Sequence, residues 1–187
     1  DIKLVSSTVF TPVCFASGTA ISFCQRVVPV EHIRPGDTVL DWFGVQHDVL
    51  WIGSKRLPLP QSERFEKLRP VRIAAGAFGG GKPYCDTWVS QQHRIYLEGL
   101  RVAMCYGEEA ALAPAKHLID GRAICLDREQ QEVEYWHLLC PRHVILVANG
   151  MPAESLLVQA NPANPEHHDL FQELRALLGE DSLPMQM

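Results

Sequence analysis

Residues 14–21 read Cys-Phe-Ala-Ser-Gly-Thr-Ala-Ile, and the interpretation of the whole chain starts from this stretch. It places a thiol, that of Cys14, just before a segment that reads as a strand. Two later segments contain histidines: residues 90–93 read Ser-Gln-Gln-His, and residues 142–145 read Arg-His-Val-Ile. A thiol combined with a hydroxyl and imidazoles is a set of groups suited to nucleophilic attack on a carbonyl. The carbonyl nearest to Cys14 belongs to the residue before it, Val13.

Attack of the Cys14 sulfur on the Val13 carbonyl would convert an amide to a less stable thioester. The thiol must lose a proton, the amide nitrogen must gain one, and the peptide must be polarised or strained. A histidine can supply the proton. A Ser three residues before that histidine can hydrogen-bond the same peptide and hold it distorted. Ser90 and His93 have this spacing.

The same residues also have ordinary structural interpretations. Cys14 could be a small buried apolar residue, His93 a core histidine, and His143 a strand residue that faces solvent. A Ser-x-x-His pair occurs by chance in many chains, so the spacing alone decides nothing. The choice between the catalytic and the structural interpretation therefore depends on further sequence motifs and on their order along the chain.

Four blocks in order make this chain resemble a Hint domain, the module shared by Hedgehog autoprocessing domains and inteins. More closely, it resembles the bacterial Hint-type family whose members begin Cys-Phe-x-x-Gly-Thr. The corresponding blocks here are residues 14–21, 30–40, 89–94 and 135–150. Together they cover residues 14–157.

The resemblance implies a role for each candidate site residue. Cys14 is the nucleophile, and Ser90 and His93 polarise and protonate the scissile amide. His143 is expected beside the same bond, where it assists a proton transfer. His137 lies near the position where related domains carry a late-block acid or thiol. The family's usual Thr is Ser90 here, which keeps the hydroxyl and loses the methyl group.

The resemblance also implies cleavage at the Val13–Cys14 bond without full splicing. Inteins end in His-Asn followed by Ser, Thr or Cys, whereas residues 150–155 read Gly-Met-Pro-Ala-Glu-Ser. Because no Asn is there to cyclise, we expect the thioester to be resolved by water or by another small nucleophile. The domain would then act once, on its own N-terminal flanking polypeptide.

Two other functions stay open at this point. The chain could be a Hint fold that is catalytically weak or inactive and serves as an interaction module. It could also be a cysteine hydrolase that acts on other proteins. Such enzymes usually place the cysteine at a helix N-terminus, whereas Cys14 precedes a Gly-Thr pair and a strand, which argues against this function.

The composition of the chain limits the kinds of partner and ligand that we expect it to bind. A net charge of −5 without a basic run disfavours nucleic acid, and no apolar stretch approaches the length of a membrane span. The six cysteines lack zinc-ligand spacing, so we expect neither a metal nor a cofactor. The compartment stays open, with a secreted or cell-surface location as part of a larger bacterial protein as one option.

We expect an all-β Hint fold of many short strands with a C-terminal helix. The expected organisation is an N-terminal leader at residues 1–13, an extein-like remnant, followed by the Hint domain at 14–157 and a linker with the helix at 158–187. In that last region, apolar residues recur at helical spacing between 170 and 178. Runs rich in β-branched and aromatic residues predict strands at 21–30, 37–42, 49–52, 71–74, 88–89, 94–97, 133–139 and 144–148.

Overall fold

The computed structural model describes residues 13–156, and within this range the chain is built almost entirely of short strands. The fourteen strands there are β1 (Phe15–Ala16), β2 (Ala20–Ser22), β3 (Val27–Pro29), β4 (Thr38–Leu40), β5 (Gln46–Asp48), β6 (Trp51–Pro58), β7 (Val71–Ile73), β8 (Thr87–Val89), β9 (Arg94–Glu98), β10 (Ala110–Pro114), β11 (Ile124–Leu126), β12 (Glu132–Leu139), β13 (Ile145–Ala148) and β14 (Met151–Glu154). The prediction of an all-β fold of many short strands is therefore confirmed. The predicted C-terminal helix lies outside the described residues.

Helical structure between residues 13 and 156 is limited to short pieces. These are α1 (Leu100–Tyr106) and 3-10 helices at Val30–His32, Glu63–Leu68 and Ala115–Leu118. Gly107 ends α1 in the left-handed conformation, with φ 74°, which glycine adopts without a steric penalty. None of the helices in this range has the length and apolar character needed to cross a membrane.

The strands form two six-stranded sheets and one separate hairpin. The first sheet has the order β11-β7-β8-β1-β12-β6, the second has the order β10-β9-β14-β13-β2-β3, and β4 pairs with β5. Neighbouring strands run antiparallel. The predicted strand at 21–30 is two strands, because a tight turn closed by the bond from the Phe23 N–H to the Arg26 carbonyl, 2.8 Å, folds this segment back on itself.

The two-residue strand β1 has a central place in the first sheet. Phe15 pairs with Val89 of β8 on one edge and with Trp136 of β12 on the other. In an antiparallel pair, the residue before Phe15 lies opposite the residue after each partner. Cys14 therefore lies between residues 90 and 137, which are far apart in the sequence.

Alternation along β1 divides its side chains between two apolar clusters. Phe15 faces the main core, which also contains Ile21, Ile95 and Leu146. Cys14, with Ala16, faces a smaller cluster that is completed by Leu59, Leu68, Val133 and Tyr135. The nucleophile candidate is consequently enclosed by apolar groups rather than presented at the surface.

The Asn149 side chain, in the turn between β13 and β14, forms a link between the two sheets. Asn149 and Gly150 both have positive φ, 47° and 80°, as this two-residue turn requires. The Asn149 side-chain oxygen accepts the Ala20 N–H at 2.9 Å, and its amide nitrogen donates to the Thr87 hydroxyl at 2.8 Å. Ala20 belongs to the second sheet and Thr87 to the first, so this side chain forms hydrogen bonds with both sheets.

Arg69 is a buried cation whose loss should destabilise the fold. Its guanidinium donates to the carbonyls of Leu59, Pro60 and Gln130 at 2.9, 3.0 and 3.2 Å. Arg69→Met would leave these acceptors without their donor, and an unpaired buried acceptor costs about 1–3 kcal/mol. We expect the free energy of unfolding to fall by about 3 kcal/mol in urea denaturation followed by tryptophan fluorescence.

Arg56→Met is the matched control. Arg56 is largely exposed and pairs with Glu134 at 3.3 Å, and an exposed ion pair contributes less than about 1 kcal/mol. Equal urea midpoints for the two variants would contradict the structural role given to Arg69.

Candidate active site

Ser90 holds the backbone of Cys14 from both sides. The Cys14 amide N–H, which belongs to the Val13–Cys14 peptide, donates to the Ser90 hydroxyl oxygen at 3.1 Å. The Ser90 N–H donates in turn to the Cys14 carbonyl at 3.0 Å. Both residues are buried. The position of β1 next to β8 makes this clamp possible, because Cys14 and Ser90 are opposite one another.

His137 contacts both the thiol and the carbonyl that the thiol would attack. Its Nδ1 lies 3.0 Å from the Val13 carbonyl oxygen, and the Cys14 sulfur lies 3.5 Å from Nε2 and 3.6 Å from Nδ1. A carbonyl can only accept a hydrogen bond, so Nδ1 carries the proton in this arrangement. Nε2 of the neutral ring is then an acceptor, next to the thiol.

His93 is positioned on the other side of Cys14. Its Nδ1 donates to the Cys14 carbonyl at 2.9 Å, and its ring packs on Phe15 with centroids 4.4 Å apart. Its other nitrogen, Nε2, is buried and makes no hydrogen bond within the described residues. The structure thus brings His93 to the peptide that follows Cys14, while Ser90 holds the peptide that precedes it.

His143 lies in a different environment. Its Nε2 is 3.0 Å from the carboxylate of Glu154, a residue with no exposed surface. The same carboxylate is bound by the side chain and the backbone N–H of Arg94. The contact that the structure gives His143 is therefore with this ionic cluster, and His137 rather than His143 contacts the Val13–Cys14 peptide.

Sequence reasoning missed Glu154 and Arg94, although one signal was present. Glu154 ends the segment Met-Pro-Ala-Glu, which follows the predicted strand at 144–148 across an Asn-Gly pair, a pattern typical of a β-hairpin. A carboxylate that is buried in such a hairpin needs a cation or several donors to offset its lost hydration. This requirement pointed to a buried ionic cluster near the end of the domain.

Burial keeps the resting site uncharged. It raises the pKa of the Cys14 thiol far above its usual range, although a hydrogen bond with the Ser90 side chain opposes this. Burial lowers the pKa of His93 to about 4. The pKa of His137 is also lowered, first by burial and then by the charge of Lys55, against the effect of the Val13 carbonyl. At neutral pH the site holds a thiol and two neutral imidazoles.

The described side chains around these residues form neither a metal-binding group nor a disulfide. The structure shows no group of three or more His, Cys, Asp or Glu side chains arranged to hold a metal ion between residues 13 and 156. The cysteines whose side chains it describes are not joined in disulfides.

The comparison with protein families decides the identification. A family model described as a Hint domain matches residues 13–160, most of the chain. The chain belongs to the Hint domain family. This confirms the family resemblance, while the Cys-Phe-x-x-Gly-Thr subgroup stays a prediction. A search of the curated proteins gives no match.

Solved structures of intein-like proteins are similar to this Hint domain. A bacterial intein-like domain from Clostridium thermocellum is 12% identical with a TM-score of 0.47, covering 79% of this chain and 100% of that domain. A DnaB intein from Synechocystis sp. PCC 6803 is 11% identical with a TM-score of 0.47, covering 78% of this chain and 99% of the intein. The family match and the all-β architecture together support an autoprocessing domain in general terms.

Proposed function

We propose that this Hint domain cleaves the Val13–Cys14 bond by an N-to-S acyl shift. The observation that carries the proposal is the double contact of His137, 3.5 Å from the thiol and 3.0 Å from the Val13 carbonyl oxygen. One imidazole can thereby accept the proton of the nucleophile and polarise the electrophile. The hydrogen bond from the scissile amide to Ser90 holds the same peptide in place.

In the first step the Cys14 sulfur bonds to the Val13 carbonyl carbon. Because burial opposes a resting thiolate, the thiol proton passes to His137 Nε2 as the bond forms. Negative charge develops on the Val13 oxygen, which already accepts a hydrogen bond from Nδ1 of the same ring. A donor placed at that oxygen in an enclosed site stabilises the tetrahedral intermediate.

In the second step the bond between the Val13 carbon and the Cys14 nitrogen breaks. The nitrogen takes one proton to become an amine, and the product is a thioester between Val13 and Cys14. One proton leaves sulfur and one joins nitrogen, so the shift as a whole needs no external acid. Water or another small nucleophile then attacks the thioester and releases the N-terminal polypeptide.

Splicing is not part of the proposal. The end of β14 carries Glu154 and Ser155, both buried, and neither side chain can cyclise as the terminal Asn of an intein does. The proposed outcome is cleavage at one bond, with the N-terminal flanking polypeptide as the substrate.

A catalytically weak or inactive interaction module is the second candidate. The observation in its favour is the protonation state of the site at rest. Burial disfavours the thiolate of Cys14, and it also disfavours the protonated forms of His93 and His137. Such a site would hold Cys14 without using it. The cleavage experiment separates the two functions.

Removal of the nucleophile should abolish cleavage. In a fusion that carries a folded tag before residue 1 of the full chain, we expect release of the tag with Val13 at its end, faster with added thiol. Cys14→Ala should release none, because no sulfur remains to attack. Intact-mass spectrometry over time gives the measurement.

Cys24→Ala is the control, because Cys24 is exposed, and it should cleave like the unmodified fusion. Equal release by the unmodified fusion and Cys14→Ala would contradict the mechanism. No release from either, with the fold intact, would favour the interaction module.

The two late histidines should differ in their importance. His137→Ala removes the group in contact with both reacting atoms, and we expect cleavage to slow by about 10²–10⁴-fold. His143→Ala leaves the contacts of the scissile peptide intact, and we expect a loss of about tenfold or less, since His143 acts only through Glu154. The rates come from the same fusion by gel densitometry. A larger loss for His143→Ala would reverse the assignment of the two histidines.

A further inference from the structure

Glu154 is a charged side chain with no exposed surface, at the end of β14. The Arg94 N–H donates to it at 2.9 Å, Arg94 Nε lies 2.8 Å from both carboxylate oxygens, and Arg94 Nη2 lies 2.7 Å from one of them. His143 Nε2 completes the set at 3.0 Å. Burial raises the pKa of Glu154, but the hydrogen bonds from His143 and Arg94 outweigh it and lower the pKa overall. The carboxylate is therefore an anion in the interior.

A buried ion costs several kcal/mol even when it is paired, and apolar residues often stabilise a fold equally well at such a place. The location of Glu154 gives a reason for the charge. Its main partner, Arg94, directly follows His93, and β14 pairs with β9 at Ala153 and Ile95. The anion consequently lies close to the imidazole that is bonded to Cys14, and it favours protonation of that ring.

His93 has an unused nitrogen in this interior. Nδ1 donates to the Cys14 carbonyl at 2.9 Å, whereas Nε2 is buried without a hydrogen-bond partner among the described residues. An unsatisfied buried polar atom costs about 1–3 kcal/mol. Nε2 is the atom that receives the second proton when the ring becomes an imidazolium. The charge of the Glu154 carboxylate favours this form, and so does a hydrogen bond with the Glu154 backbone.

The proposed cleavage needs an imidazolium at the second step. The departing Cys14 nitrogen must gain a proton, and a neutral imidazole is a very weak acid, while an imidazolium is a good one. His137 holds the thiol proton beside the sulfur and the Val13 oxygen. His93, on the other side of Cys14, is the second possible donor.

The charged and titratable groups around His93 come from four elements. They are Cys14 before β1, His137 on β12, Arg94 on β9 and Glu154 on β14. Burial, above all, and His137 oppose protonation of His93. The charge of Glu154 is the largest effect in its favour, followed by hydrogen bonds to the Cys14 and Glu154 backbone. His143 faces the same carboxylate and helps to keep it ionised.

We propose, on the basis of the proposed function, that Glu154 is a positioning residue for the cleavage: its buried carboxylate stabilises the doubly protonated His93 that delivers a proton to the Cys14 nitrogen. As the C–N bond breaks, Nδ1 of His93 gives its proton to the nitrogen and Nε2 keeps the other. His93 takes its second proton from solvent before this step, and His137 releases the thiol proton to solvent after it, so the protons balance. Arg94 and His143 hold the carboxylate in place.

Two substitutions with opposite electrostatic signs test this proposal. Glu154→Gln removes the anion and keeps the shape of the side chain. Arg94→Gln removes the cation, while the hydrogen bond from His143 still favours the ionised carboxylate. Glu154→Gln should make His93 harder to protonate, and Arg94→Gln should make it easier. A purely structural ion pair would be broken by both substitutions, and both would slow cleavage.

The first readout is the titration of His93, measured by nitrogen-15 NMR in the non-cleaving Cys14→Ala background. His93 of the Cys14→Ala protein should titrate at about 4, because burial lowers its pKa more than Glu154 raises it. We expect the midpoint to fall by about one pH unit in Glu154→Gln and to rise in Arg94→Gln.

The second readout is the cleavage rate of the tagged fusion at pH 6, where His93 is mostly neutral in the parent. One pH unit in the pKa of the donor changes its protonated fraction about tenfold, so Glu154→Gln should cleave about tenfold more slowly. Arg94→Gln should cleave faster than the parent. Glu134→Gln is the matched control, because this partly exposed carboxylate on β12 binds Arg56 and Ser17 instead, and it should cleave at the parent rate.

The outcomes separate this proposal from the function on which it rests. If the parent does not cleave, or cleaves equally without Cys14, the proposed function fails, and the role proposed for Glu154 falls with it. If the parent fusion cleaves and Glu154→Gln cleaves at the same rate, the role of Glu154 is overturned even when the titration of His93 shifts. Slower cleavage by both variants also overturns it.

If Glu154→Gln fails to fold, Arg94→Gln is the deciding variant. A higher titration midpoint of His93 with faster cleavage supports the proposal, and an unchanged or lower midpoint refutes it.

Discussion

The candidate site depends on the pairing of one very short strand. β1 contains two residues, yet it is inserted between β8 and β12 and bonded on both edges. This pairing sets Cys14 opposite Ser90 on one side and His137 on the other. A shift of the register by one residue would turn the thiol to the opposite face of the sheet. The chemistry of the domain is therefore a consequence of strand register, which the flanking strands enforce.

The burial that follows from this pairing controls the reactivity of the site. Cys14 faces a small apolar cluster, and its two neighbouring imidazoles are shielded from solvent as well. Water is a poor competitor at such a place, and the electrostatic interactions between the groups are strengthened. The same burial disfavours every charged intermediate. In the proposed mechanism, His137 donates a hydrogen bond to the Val13 oxygen, where negative charge develops, and the Ser90 hydroxyl oxygen accepts the N–H of the same peptide.

The charged side chains of the ionic cluster lie beside the candidate site, not at the scissile bond. The buried anion, Glu154, is held by Arg94 and His143, and together they form an ionic cluster behind His93 rather than at the scissile bond. In the proposed mechanism this separation has a physical reason: the reacting groups stay neutral at rest, and the fixed charge of Glu154 favours the protonated His93 needed in the second step. The late histidine of the sequence pattern belongs to this supporting cluster.

The sequence predicted those parts of the structure that depend on local patterns and on block order. The all-β architecture and the strands at 94–97, 133–139 and 144–148 follow from runs of β-branched and aromatic residues. The proximity of Cys14 to Ser90 and His93 could be anticipated from the family pattern. The different contacts of His137 and His143 could not, because the position of His137 depends on the pairing of β12 with both β1 and β6. Glu154 was missed because its partners come from other strands, and long-range partners leave no local pattern.

The most direct test of the central claim is the chemical trapping of the thioester. The tagged full chain is incubated with excess hydroxylamine, and the masses of both fragments are measured. The account predicts an N-terminal fragment that ends in a Val13 hydroxamate and a C-terminal fragment that begins with an unmodified Cys14. A Val13 carboxylic acid alone, formed at the same rate with and without hydroxylamine, or cleavage at another bond, would contradict it.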